Sequence, residues 1–346
     1  LNILVLSHYF YPAIGGIETL TEMFSHELVN HGHNVRVLTW SVDNTHKQFP
    51  FVVVRNPDVN TLFREHNWAD VVFENNPSLR LSWPNVFVRR PLVTSLQTWI
   101  SRTDGTSSAQ DWVKVKWLKR AYKVIACSNA IRNVCFPDSV VIPNPYDANT
   151  FRRIPGVTKT EDFVFLGRLV SDKGADAAIK ALHQIVTDAE RNGKFKPTLT
   201  IIGEGPERVA LETLSNKLGV GKSVLFTGSL RGEELARCLN KYRYLLVPSA
   251  WKEPYGIVAL EGMACGCIPI VSDGGGLPEA VGSAGLVFKR GEVADLANHM
   301  VQLLTDDALC NQLRAAAADH LAKNQSKTVV KQYLDILTEA VVSQKA

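Results

Sequence analysis

Along the chain, short apolar runs rich in Val, Ile and Leu alternate with stretches in which apolar residues recur every three or four positions. The first run, 3–6, stops at Ser7-His8. Gly15-Gly16 follows, and Leu20, Phe24 and Leu28 then predict a helix over 17–30. His31-Gly32-His33 ends it, and the next strand is expected at 35–39. Strand, glycine turn, helix and strand open a parallel α/β sheet. Further buried strands are expected at 52–54, 71–73, 86–88, 92–94 and 124–126, with a helix over 111–122; the run 140–145 closes this half.

A second series begins at 163–166, which leads into Gly167-Arg168. A helix over 175–192 and a strand over 199–202 follow, the latter ending in Gly203-Glu204-Gly205-Pro206. Strands at 224–226, 244–247 and 269–271 come next, with a helix over 257–265. Helices over 293–304, 309–323 and about 328–343 finish the chain. The polar, Pro-containing stretch 146–162 separates the halves. The expected fold class is α/β: two Rossmann-like domains, 1–150 and 151–327, with the C-terminal helix 328–346 a candidate to join the first.

Composition adds little to this picture. The 346 residues are 45% hydrophobic and 21% charged, ordinary for a globular protein long enough for two domains. A net charge of +4, without a long Lys/Arg run, gives no nucleic-acid arm. The six cysteines form no CxxC pair and no Cys/His zinc pattern, which fits buried free thiols and a reduced, cytoplasmic setting. The opening apolar run reads as a strand and not as a signal peptide, and no stretch reaches the ~18 apolar residues of a membrane span.

Chemistry is expected at the carboxyl ends of the strands. Gly15-Gly16-Ile17-Glu18 is either a tight turn or a phosphate-approaching loop at a helix N-terminus. Arg168 and Lys173-Gly174 are either solvated charges or a pair suited to a diphosphate. Glu253 lies in Trp251-Lys252-Glu253-Pro254-Tyr255-Gly256. Glu261, eight residues on, sits in the apolar run 257–264, where a carboxylate is costly without a donor. Sugar hydroxyls are such donors, and an internal bridge is the other reading. Gly203-x-Gly205 lacks the third glycine of a dinucleotide fingerprint, since Arg208 stands there. Asp273-Gly274-Gly275-Gly276 is another glycine loop after a strand. No Asp-x-Asp occurs, which argues against a nucleotide held through a carboxylate-bound metal.

In chain order, these loops and the segments Cys127-Ser128-Asn129, Ile142-Pro143-Asn144-Pro145, Pro248-Ser249 and Glu253 to Glu261 (E-x7-E) resemble the GT4-type family of retaining glycosyltransferases with the GT-B fold. The resemblance spans nearly the whole chain. It implies two domains facing across a cleft that closes on a nucleotide-diphosphate sugar, by default UDP-glucose, and passes a hexose to a glycan or glycolipid acceptor. The nucleotide sugar is a co-substrate; no resident cofactor or metal is implied.

The resemblance also implies roles. Gly15 and Gly16 would meet the phosphates. Arg168 and Lys173 would hold the diphosphate leaving group, and Glu253 would position the donor sugar. The amides of Tyr255, Gly256 and Ile257 would line the sugar and phosphate site. Glu261 would take the ribose hydroxyls, with Gly203 and Leu230 flanking the base. Gln97 stands where many relatives carry a sugar-contacting His; it hydrogen-bonds but does not titrate. The basic, aromatic stretch 112–123 is either a solvated amphipathic helix or a peripheral membrane contact. A sugar-nucleotide epimerase or phosphorylase, and a non-catalytic nucleotide-sugar binder, are the competing classes.

Overall fold

The computed structural model describes residues 1–13, 15–43, 45–100, 108–191 and 196–345. The chain forms two compact units, Leu1–Pro145 with Ser326–Ala346, and Tyr146–Gln325.

The first unit holds seven strands: β1 (Asn2–Leu6), β2 (Asn34–Thr39), β3 (Val52–Arg55), β4 (Val71–Asn75), β5 (Leu92–Leu96), β6 (Lys123–Ala126) and β7 (Val140–Val141). All pair in parallel, in the order β3-β2-β1-β4-β5-β6-β7. β1, β4 and β5 are almost wholly buried, as expected of near-continuous apolar strands covered on both faces. On one face, Leu4, Leu6, Leu62, Val72, Leu81 and Trp117 form the core. On the other, Phe24 of helix Gly16–Asn30 packs between Phe73 and Tyr333, at 5.7 and 4.7 Å between ring centroids. Tyr333 belongs to the terminal helix Ser326–Lys345, which buries Val330, Tyr333, Leu337 and Val341 at three- and four-residue spacing.

The second unit holds β8 (Glu161–Leu166), β9 (Leu199–Ile202), β10 (Val224–Gly228), β11 (Tyr242–Val247), β12 (Ile268–Ser272) and β13 (Leu286–Phe288), again all parallel, in the order β10-β9-β8-β11-β12-β13. Its core gathers Phe163, Phe165, Ile179, Leu182, Ile201, Leu246, Ile270 and Met300. Counted from its own first strand, the second sheet runs 3-2-1-4-5-6, and the first runs in the same order with a seventh strand added. This is the doubly wound order, whose direction reverses between strands 1 and 4 and opens a crevice at their carboxyl ends. In the second unit those ends lead to Gly167-Arg168 and Pro248-Ser249.

One expected strand is absent. Residues 86–88 lie in a helical turn, Asn85–Val88. Pro84 presets the turn, and the Asn85 side chain both accepts from Arg90 N and donates to Arg90 O, at 2.9 Å each. Arg89 closes it with φ 58. The apolar run is outward: Phe87 is 68% exposed and leans on Phe63 and Trp83. The helix expected over 111–122 runs instead over Ala109–Leu118, because Ser108 and Asp111 form a capping box two residues earlier. Position 192, the expected end of the helix found at Ala175–Arg191, lies outside the described residues. Helices Val59–Trp68 and Asn129–Cys135 and strand β13 carry no expectation from the sequence.

Candidate functional site

In the second unit, backbone packing at the crevice brings four loops together. The turn Ser171–Lys173 after β8 ends at Gly174, φ 76, where a side chain would run into the Pro248 carbonyl. Ala250 N and Trp251 N both donate to Asp172 O, at 2.9 and 3.1 Å. The loop after β9 closes on the same place: Gly203, φ 151, has no room for a Cβ against the Gly167 carbonyl, and Leu169 N donates to Glu204 O. The glycines of Gly203-x-Gly205 thus serve close loop packing. After β12, Gly275 bridges to Glu253, and Gly276 N donates to Glu253 O at 2.8 Å.

These constraints set the side chains. Lys173 Nζ lies 2.6 Å from Glu253 Oε1, and Ser249 Oγ donates to the same oxygen at 2.8 Å. Lys173 also sits 5.4 Å from the centroid of the Trp251 ring. The two charged side chains keep 21% and 13% of their surface, so the pair is shielded but reachable. Arg168 is exposed, and among the described residues no carboxylate pairs with it. Ser249, given no role by the sequence, is the added member. Its signal was its place directly after a buried strand, and its carbonyl is held by Ser272 Oγ at 2.8 Å.

Glu253 leads into helix Ile257–Ala264, capped by Gly256 (φ 123), which has no side chain to satisfy the first amides. Tyr255 is buried and donates its hydroxyl to Asn324 Oδ1 at 2.9 Å. Glu261 lies in the second turn. Burial, and then the charge of Asp147, push its carboxyl up to about 8. Among the described residues nothing donates to that carboxylate. Leu230, half-buried, follows Gly228 at the end of β10.

Gly15, Gly16 and Gln97 belong to the first unit. Gly15 precedes helix Gly16–Asn30 without a side-chain cap, and the Glu18 carboxylate folds back against it. Beneath, a buried polar chain ties the ends of β1, β4 and β5. Thr21 Oγ1 donates to Ser7 Oγ, Asn75 Nδ2 to Thr21 Oγ1 and Ser95 Oγ to Asn75 Oδ1. Gln97 continues it: it is 5% exposed, donates to Ser95 Oγ at 3.3 Å and lies against Tyr333. It is buried at the end of β5, and its Oε1 has no hydrogen-bond partner among the described residues. Burial, and then the charge of Arg80, lower the pKa of His8.

In the stretch 112–123, Trp117 is turned inward and donates to buried Glu74 at 3.1 Å. Trp112 is 60% exposed with Lys116 Nζ 3.7 Å over its ring. Among the described residues no helix is long and apolar enough to cross a membrane, and no group of three or more His, Cys, Asp or Glu side chains has a metal-holding arrangement.

Residues 147–320 match the family described as glycosyl transferases group 1. An uncharacterized glycosyltransferase of Methanocaldococcus jannaschii is 39% identical over 132 residues, 38% of this chain and 32% of that protein. The gpi3 subunit of the phosphatidylinositol N-acetylglucosaminyltransferase of Schizosaccharomyces pombe is 27% identical over 337 residues, 87% of this chain and 72% of that one. The match thus spans about a third of the archaeal relative's length. Among solved structures, Anabaena HepE in complex with UDP superposes with a TM-score of 0.83 at 21% identity, covering 98% of this chain and all of that one; HepE has also been crystallised with UDP-glucose. The sheets, their order and this likeness give the chain the two-domain GT-B fold, and by the match over half its length it belongs to the group 1 glycosyl transferases.

Proposed function

We propose that the protein is a retaining glycosyltransferase that moves a hexose from a nucleotide-diphosphate sugar, UDP-glucose by default, to a glycan or glycolipid acceptor in polysaccharide biosynthesis, without a metal. The observation that carries this reading is the convergence of Lys173 and Ser249 on one oxygen of Glu253 at the crevice of the second sheet. Arg168 and Lys173 bring two cations to a strand end, where a diphosphate leaving group gathers charge in the transition state. The amides of Gly256 and Ile257, at an uncapped helix start, suit the phosphates and the sugar. Glu261 suits the ribose, whose hydroxyls supply the donors that its carboxylate lacks. Gly203 and Leu230 flank the base. Gly15 and Gly16 offer a second helix start to the phosphates.

With the leaving group held, a front-face displacement lets the departing phosphate oxygen take the acceptor's proton. The protein's share is positioning and charge stabilisation. Gln97, whose Oε1 has no partner among the described residues, offers a hydrogen bond to the donor sugar. The proposed setting is cytoplasmic, with a peripheral membrane contact through the Trp112 and Lys116 face when the acceptor is lipid-linked.

The test is incubation with UDP-glucose and a panel of glycan and lipid-linked acceptors, reading acceptor-dependent UDP release and the product's anomeric proton by NMR. Acceptor-dependent release with an α-linked product supports the reading. An inverted product, or turnover that needs no acceptor, contradicts it.

A further inference from the structure

Another concavity, of about 240 Å³, opens in the second unit at the amino end of β12, the opposite end of that strand from the crevice. Arg153 and Arg314 reach it from different elements, and Gly266, Met263, Ala317 and Leu321 line it with them. Gly266 has φ 83, and a Cβ there would stand 2.8 Å from Arg153 Nε, so glycine lets this guanidinium lie along the backbone. Behind the wall, Lys159 Nζ is fixed by the carbonyls of Asn240, Tyr242 and Cys265, at 3.3, 2.6 and 3.0 Å. Its three N–H groups are therefore spent, and only its charge reaches the concavity.

Three cations thus converge, and among the described residues no carboxylate is paired with any of them. Arg152, next in sequence, is paired with Glu233 at 3.2 Å, but among the described residues no carboxylate lies within ion-pair distance of Arg153 or Arg314. Cys265 and Cys267 add no negative charge, since burial pushes their thiols up to about 12 and about 11. Burial pulls the Lys159 pKa down, and the charges of Arg153 and Arg314 act in the same direction. Two guanidinium forks over a small, partly apolar hollow match a phosphate carried on a compact body.

We propose that Arg153 and Arg314, backed by Lys159, form a binding site for a small phosphomonoester of hexose-phosphate size, separate from the crevice that holds Glu253. The site lies wholly within the second unit and does not depend on the donor assignment.

Isothermal titration of the full chain with inorganic phosphate and with glucose 6-phosphate, in a phosphate-free buffer, tests it. Glucose 6-phosphate is expected to bind one site, at least as tightly as phosphate, and equally in Lys173→Ala. Arg153→Gln and Arg314→Gln are expected to weaken it about tenfold or more. Arg314→Lys keeps the charge without the fork and should bind more tightly than Arg314→Gln but less tightly than the unaltered chain, which, with circular dichroism of both variants, separates loss of the site from loss of the fold. Absence of saturable binding, binding unchanged in both Gln variants, or loss in Lys173→Ala alone overturns the site. Tighter binding of phosphate than of glucose 6-phosphate overturns the phosphomonoester assignment.

Discussion

Lys173 and Glu253, eighty residues apart in sequence, meet at 2.6 Å between Nζ and Oε1. A partly exposed pair of this kind adds at most about 1 kcal/mol to stability. Its worth on the proposed reading is in the transition state. Lys173→Ala and Glu253→Ala are each expected to lower kcat/KM more than tenfold, over ~1.4 kcal/mol, while moving the melting midpoint by only a few degrees. Because they share one contact, the double variant should lose less than the sum.

Ser249 shares that carboxylate oxygen from the other side. Ser249→Ala removes one of its two donors. The expected loss is about 1 kcal/mol, a roughly fivefold fall in transfer, with folding intact by circular dichroism. Unchanged kinetics would remove Ser249 from the site.

Glu261, with its carboxyl pushed up to about 8, carries a pH signature. Between about 4.5 and 8 the native state holds a proton that the unfolded chain has released. Its contribution to stability is thus complete below about 4.5 and is lost as pH rises through about 8. Melting midpoints should show this fall, and Glu261→Gln should flatten it. Ribose hydroxyls favour the carboxylate, so nucleotide binding near pH 7 is expected to release protons, read as a dependence of calorimetric heat on buffer ionisation enthalpy.

Gly275, φ 73, touches the backbone of Glu253 so closely that any Cβ would strike the Glu253 carbonyl. Gly275→Ala is expected to destabilise by about 1–3 kcal/mol and to cost activity beyond that, by shifting the Glu253 loop. A thermal melt with a parallel transfer assay separates the two effects.

The buried strands were legible because their Val and Ile runs are short and bounded by glycine and polar turns. Residues 86–88 misled for a local reason: Pro84 and the Asn85 side chain override a β-branched run that packs outward. Arg168, Lys173, Glu253 and Glu261 could be singled out from their strand-end and helix positions, but their geometry could not. The meeting of Lys173 with Glu253 depends on Gly174, Gly203 and Gly275 closing loops that are far apart in sequence. The interior placement of Gln97 depends on Tyr333, delivered by the last helix from more than two hundred residues away.

On the proposed reading, the crevice of the second sheet holds a nucleoside diphosphate. Thermal-shift titration with UDP, GDP, ADP, CMP and NAD, without added metal, addresses it directly. A ligand at 100 times its dissociation constant stabilises by ~2.7 kcal/mol, several degrees of midpoint. A shift with one nucleoside diphosphate, reduced in Lys173→Ala and absent with NAD, is the expected result. A shift with NAD alone, or with none of the five, would contradict nucleoside diphosphate binding in this crevice.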